Sequence, residues 1–350
     1  MKKSEKLSLY KNLFYIREIQ EQLIKKYRQG NKMRCPMHFC IGQEMIPASL
    51  NLLINKKDSL FCGHRSHGYY LSKNGPLKEM FAEFYGKKTG ISGGMAGSQE
   101  MMNKDINFYS GALLSGSFAM SIGDAFAKKY RNEKSIAVAV IGDGGMDEGI
   151  SYEVINMATI MKLPILFICE NNLYSTQTHM RERNKNLSVA KKLTPFGIES
   201  KLLDTKNPEV CFDVLDKSIK KIRKNNKPIF IEALTYRFNA HVGPESDDHY
   251  NYRSKNEIDY WKKRDPLNFY EKKLNKEFKD FAKKKSSIKK IIKVKIKNSF
   301  EFAEKSKFPN SFKEFNFQNN YSKLVKKFYK NSISFDDKQE DHKPKASSPY

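Results

Sequence analysis

Asp143 follows a short, β-branched apolar run at 136–141, and Asn171–Asn172 follow a second run at 165–169. A carboxylate and a carboxamide are hard oxygen donors, the kind that hold Mg²⁺. Gly142, Gly144 and Gly145 surround Asp143. Backbone without Cβ atoms can approach a phosphate closely, and a helix that follows would offer its N-terminal amides. These residue types in this order outline a site for a metal-bound diphosphate. Taken alone, GDGG also suits an ordinary strand-to-helix turn, so the elements that position it decide the matter.

The run 136–141, bounded by Gly142, reads as a buried strand. Over 148–162, Ile150, Val154, Met157 and Met161 recur at helical spacing with Ala158 beside them, and Pro164 ends the pattern. The second run, 165–169, reads as another buried strand. Strand, helix and strand make a βαβ crossover with parallel strands and a right-handed connection. Ligands of such sheets bind beyond the carboxyl ends of the strands, where Asp143 and the asparagines fall. The expected fold class is α/β, a doubly wound parallel sheet flanked by helices, with helical N- and C-terminal extensions.

Other segments add chemistry. The stretch FCGHRSHGYY, 61–70, places Arg65 between His64 and His67 with two glycines, and it reads as an anion-binding loop. A further buried strand, 228–236, runs into RFNAHVGP, so His241 sits where a parallel strand meets a loop. Leu9, Leu13, Ile16, Ile19 and Leu23 give a helix over 8–29 that Gly30 stops. Asn207 and Pro208 read as an N-cap and first helical residue of a helix to 226. Ile288, Ile292, Ile296 and Phe300 repeat every four residues on a lysine-rich helix. The polar segment 177–192 reads as a mobile loop facing a mouth or a partner.

Composition narrows the classes. The 350 residues can bury a sizeable core, and no apolar run approaches the ~20 residues of a membrane span. Five cysteines with no CxxC pair fit a reduced, cytoplasmic compartment. The net charge of +25 is mostly scattered lysine, thickest over 262–330, without a nucleic-acid motif. It reads as a solvated basic face, and neither a nucleic acid nor a membrane is expected as partner.

With GDG and NN set at the two strand ends, the chain resembles thiamine diphosphate enzymes. With IGQE at 41–44 preceded by His38, it resembles the alpha subunits of the 2-oxo acid dehydrogenase decarboxylating component. The resemblance implies thiamine diphosphate and Mg²⁺ as cofactors. It implies that Asp143, the Asn172 side chain and the main-chain carbonyl of Tyr174 hold the metal. Gly142, Gly144, Gly145, Arg65 and His64 would then lie on the diphosphate, and Ala112 and Leu114 would support the aminopyrimidine. His241, in a loop the family often writes HGHS, and His38 would be catalytic. The chain departs from the family pattern at Gln99–Glu100, Ala112, Ser117 and Val242.

The glutamate that activates the cofactor's pyrimidine is expected from a separate beta subunit, in an alpha2beta2 assembly that passes an acyl group to a lipoyl-bearing acyltransferase. The alternatives are a thiamine diphosphate-dependent ketol-transfer or biosynthetic enzyme without a lipoyl partner, or a non-catalytic basic scaffold. The expected organisation is an N-terminal helical segment over 1–60 and a cofactor-binding domain over 61–267. A helical extension over 268–330 and a disordered tail over 331–350 follow.

Overall fold

The computed structural model describes residues 1–30, 32, 33 and 35–310; the tail at 331–350 and the extension beyond 310 lie outside the described residues. The strands are β1 (Ser59–Cys62), β2 (Met102–Asn103), β3 (Phe108–Ser110), β4 (Ala137–Gly142), β5 (Ile165–Asn171), β6 (Tyr174–Ser175), β7 (Thr178–His179), β8 (Glu199–Asp204) and β9 (Ile229–Leu234). The helices are α1 (Lys3–Arg28), α2 (Met45–Leu53), α3 (His67–Ser72), α4 (Leu77–Phe84), α5 (Gly116–Tyr130), α6 (Gly149–Ile160), α7 (Met180–Arg183), α8 (Val189–Lys192), α9 (Pro208–Asn225), α10 (Lys255–Lys263), α11 (Pro266–Glu277) and α12 (Phe281–Lys305).

Seven strands form one sheet in the order β2-β3-β1-β4-β5-β9-β8. Every neighbouring pair is parallel except the short β2–β3 edge. Residues 137–141 of β4 and 165–169 of β5 are continuously apolar because both faces of the sheet are covered there. On β4, Val138 and Val140 enter one core cluster, whereas Ala137, Ala139 and Ile141 enter the other. On β5, Leu166 and Ile168 alternate in the same way with Ile165, Phe167 and Cys169. The first cluster is completed by residues of α1, α2, α3, α4, α9, α11 and α12, the second chiefly by α5 and α6. A mostly parallel sheet flanked by helices is thus present.

Local signals explain several boundaries. The Asn207 side chain accepts the Glu209 N–H at 3.2 Å, Pro208 takes the first turn of α9, and Asn226 closes it with φ of 49°. On α12, Ile292, Ile296 and Phe300 are buried as their spacing requires, and Ile288 packs at the edge. The buried face of α6 differs from the expected one. Ser151, Val154, Ile155 and Ala158 face the sheet, whereas Ile150 and Met157 are 40% and 48% exposed. Apolar spacing alone located the helix and not its inward side.

Candidate functional site

The carboxyl ends of β1, β4 and β5 open on a cavity of about 270 Å³. Its lining includes His38, His64, Arg65, Ala112, Leu114, Gly142, Asp143, Gly144, Gly145, Asn172, Tyr174 and His241. Residues drawn from six segments of the sequence therefore share one space. Gln43, Gln99 and Glu170 line it as well, whereas Glu100 is exposed and is not part of the lining.

At the end of β4 the chain places Asp143 in a fully buried position. Burial pushes its carboxyl pKa up, and the adjacent Arg183 guanidinium opposes that shift. Arg183 pairs with Asp143 and also with Asp147. Gly144 packs against Ser175, where an added Cβ would lie 2.5 Å from Oγ; Gly142 faces open space.

The two asparagines after β5 part company. Asn171 turns into the core, donating to Glu232 Oε1 at 2.8 Å, while Asn172 lines the cavity. Asn172 Oδ1 accepts the Tyr174 N–H at 3.1 Å and its Nδ2 donates to Gln43 Oε1 at 3.4 Å. The donor set fits a divalent cation: a carboxylate too buried to stand unneutralised, with amide and carbonyl oxygens beside it.

The second wall is basic and aromatic. Arg65 donates to the carbonyls of Phe39 and His241, tying the β1 loop to the two loops that carry His38 and His241. The His38 ring lies 4.5 Å from His64 and 5.1 Å from His241, centroid to centroid. Burial, reinforced by Arg65, holds His64 at about 4 and His241 at about 3, and it lowers His38 further. All three are neutral imidazoles near pH 7. Burial also lifts Glu170 to about 7, with its Oε1 lacking a hydrogen-bond partner. His67 is buried away from the cavity, its Nδ1 3.1 Å from Gln20 Oε1.

The loop carrying Gln43 is held from behind. Arg17 of α1 pairs with Glu44 and with Asp265, whose side chain caps α11 by accepting the Leu267 N–H at 3.0 Å. Glu44 Oε2 also accepts the Gly42 N–H at 2.9 Å. Gly42 has φ of +92°, and an added Cβ would meet the Tyr236 carbonyl oxygen at 2.2 Å, so only glycine fits this turn. Ser117, one of the departures from the family pattern, donates to the Cys62 carbonyl at 2.8 Å and pins α5 to the end of β1.

Sequence reasoning passed over Arg183 and Glu170, and it noted Gln43 in IGQE and Gln99 as a departure from the family pattern without placing either in the site. For Arg183 the available signal was a charged run in a loop beside the site; the segment read as mobile contains β7, α7 and α8 and is anchored by Arg183. For Glu170 the signal was a carboxylate immediately before Asn171 at a strand end.

A model of the dehydrogenase E1 component matches residues 11–311. The chain belongs to the dehydrogenase E1 component family. It is 31% identical over 310 residues to a protein of Rickettsia conorii named pyruvate dehydrogenase E1 component subunit alpha, covering 88% of this chain and 94% of the relative. A protein of the same name from Porphyra purpurea is 31% identical over 320 residues, covering 88% and 91%. One from Zymomonas mobilis is 29% identical over 313 residues, covering 88% and 86%. The resemblance read from GDG, NN and IGQE is therefore to the right family. The chain is the alpha subunit of a thiamine diphosphate-dependent 2-oxo acid dehydrogenase component, an oxidoreductase with a beta-subunit partner. No helix among the described residues is long and apolar enough to cross a membrane.

Proposed function

We propose that this E1 alpha subunit decarboxylates a small 2-oxo acid, with pyruvate the first candidate, and works with Mg²⁺ as well as thiamine diphosphate. The observation that carries the site assignment is the cavity itself, which gathers Asp143, Asn172, Tyr174, Arg65 and the three histidines. We read its host as a doubly wound sheet over 61–267, flanked by the helical segment 1–60 and by the helices that run from 268 to the end of the described residues at 310.

The cofactor supplies the electron sink for decarboxylation when bound. Asp143, the Asn172 amide oxygen and the Tyr174 carbonyl would hold Mg²⁺, replacing the Arg183 guanidinium as counter-charge. Arg65 and His64, with the amides of Gly142, Gly144 and Gly145, would bind the diphosphate. Ala112 and Leu114 offer the apolar support for the pyrimidine ring. His241 and His38 present ring nitrogens to the cavity, and a bound diphosphate's negative charge beside Arg65 would raise their lowered pKa values toward the range that general acid–base work requires.

In this reading the beta subunit contributes the pyrimidine-activating glutamate, the assembly is alpha2beta2 in the cytoplasm, and a lipoyl-bearing acyltransferase takes the acyl group. The deciding experiment titrates thiamine diphosphate, with and without Mg²⁺, into the chain co-expressed with its beta subunit. Mg²⁺-dependent binding that Asp143→Ala abolishes supports the assignment; equal binding by both proteins overturns it.

A further inference from the structure

The three histidines of the cavity wall have a property that proton transfer does not require. His38, His64 and His241 each present a ring nitrogen such that all three lie within 4.8 Å of one another. They come from three separate segments, and Arg65 fixes two of those segments through the carbonyls of Phe39 and His241. The rings of His64 and His241 have no hydrogen-bond partner among the described residues, and none of the three is paired with a carboxylate there. The hydrogen-bond partner of the His38 ring among the described residues is the Gln99 side-chain amide, Nε2 to Nδ1 at 3.2 Å. Turning that amide so that its oxygen faces Nδ1 fixes the tautomer and frees Nε2, the way an outer partner orients a metal-binding histidine.

We propose that His38, His64 and His241 form a second metal site, one that takes a borderline divalent ion such as Zn²⁺. Three imidazoles are the donors of Zn²⁺ and Co²⁺, whereas Asp143, Asn172 and Tyr174 offer the oxygens that suit Mg²⁺. Tetrahedral bonds of about 2.0–2.1 Å set ligand nitrogens roughly 3.4 Å apart, a closure that ring rotation can supply. Arg65 beside the cluster opposes a cation and equally favours an anion as fourth ligand, such as chloride, hydroxide or a carboxylate.

Metal binding by the cluster stands independently of the proposed catalytic roles. Its consequence rests on them: an ion held there takes the lone pairs of His38 and His241 and arrests decarboxylation. Zn²⁺ is therefore an inhibitor acting at a position that Mg²⁺ does not contest.

The test uses Co²⁺ as probe on the chain purified with its beta subunit, without thiamine diphosphate. One equivalent is expected to give the intense visible bands of four-coordinate Co²⁺, and Zn²⁺ is expected to displace it. The bands are lost in His64→Phe and in His64→Asn, two variants so that a folding defect in one is recognised by unfolding temperature. They persist in Asp143→Ala. Calorimetric titration without thiamine diphosphate gives His64→Asn at least tenfold weaker Zn²⁺ affinity than the parent, and in turnover assays of the parent excess Mg²⁺ leaves Zn²⁺ inhibition unchanged. Weak six-coordinate bands, or bands that vanish in Asp143→Ala and survive in both His64 variants, overturn the proposal. Four-coordinate bands in a complex that fails to bind thiamine diphosphate would refute the catalytic reading and leave the metal site intact.

Discussion

Arg17 is the residue on which the cavity floor leans, and Arg17→Met exposes how much. Its guanidinium sits between two buried carboxylates, Glu44 and Asp265, with 2.9 Å and 3.1 Å contacts to the latter. The methionine fills similar volume and strands both charges. Removing one partner of a buried ion pair costs about 3–5 kcal/mol. The 308 residues of the unit Met1–Phe308 carry an unfolding entropy of roughly 0.65 kcal/mol/K at about 2.1 cal/mol/K per residue. The unfolding temperature should therefore fall by about 5–8 °C, read by scanning calorimetry on the complex with the beta subunit. Adding Glu44→Gln removes one stranded charge and should restore part of the loss. Because Glu44 holds Gly42 and Gly42 precedes Gln43, the single variant should also weaken Mg²⁺-dependent thiamine diphosphate binding. A change under about 1 °C, or a double variant worse than the single, would refute the view that Arg17 neutralises both carboxylates.

Acid should destabilise the fold through the histidine wall. The unfolded chain binds protons below about pH 6.5 that His64, held at about 4, refuses, so stability falls from about 6.5 down to 4, by roughly 3 kcal/mol for this residue. Urea midpoints measured across that window check it, and a shallower fall is expected in His64→Asn. Gly42→Ala should cost several kcal/mol, since the new methyl meets backbone at a positive φ, whereas Gly142→Ala should leave thermal stability unchanged and lower cofactor affinity. Equal melting losses would contradict this contrast. Arg183→Gln removes the cation that competes with the metal at Asp143, so the Mg²⁺ concentration for half-saturation should drop about tenfold, or about 1.4 kcal/mol. An unchanged value would mean that guanidinium and metal do not share that carboxylate.

The β4–α6–β5 unit was legible because its strands are continuous apolar runs separated by glycine and proline, signals that local sterics enforce. β1 was not legible as a strand, since Ser59–Cys62 is four residues long and its pairing comes from Phe108–Ser110 and Ala137–Val140, far away in sequence. Asn171 and Asn172 are chemically equal, and only the strand's pleat decides that the first caps the core and the second reaches the cavity. Arg183 lies 40 positions beyond Asp143, and its partner is chosen by how the loop returns over the strand ends. The convergence of His38, His64 and His241 is likewise a tertiary fact, set by three loops that no periodicity describes.

The Arg183–Asp143 pair bears on the order in which the protein becomes functional. Many small metal-dependent domains are unfolded until the ion arrives, since bare ligands repel one another and resist burial. On the proposed assignment of Asp143 to Mg²⁺, Arg183 would serve as a placeholder that neutralises the strand end until the ion takes its position. Folding and loading would then be uncoupled, and synthesis in an ion-poor interval should yield an intact chain awaiting cofactor. Chelation, for the same reason, should silence the protein reversibly and leave its architecture standing.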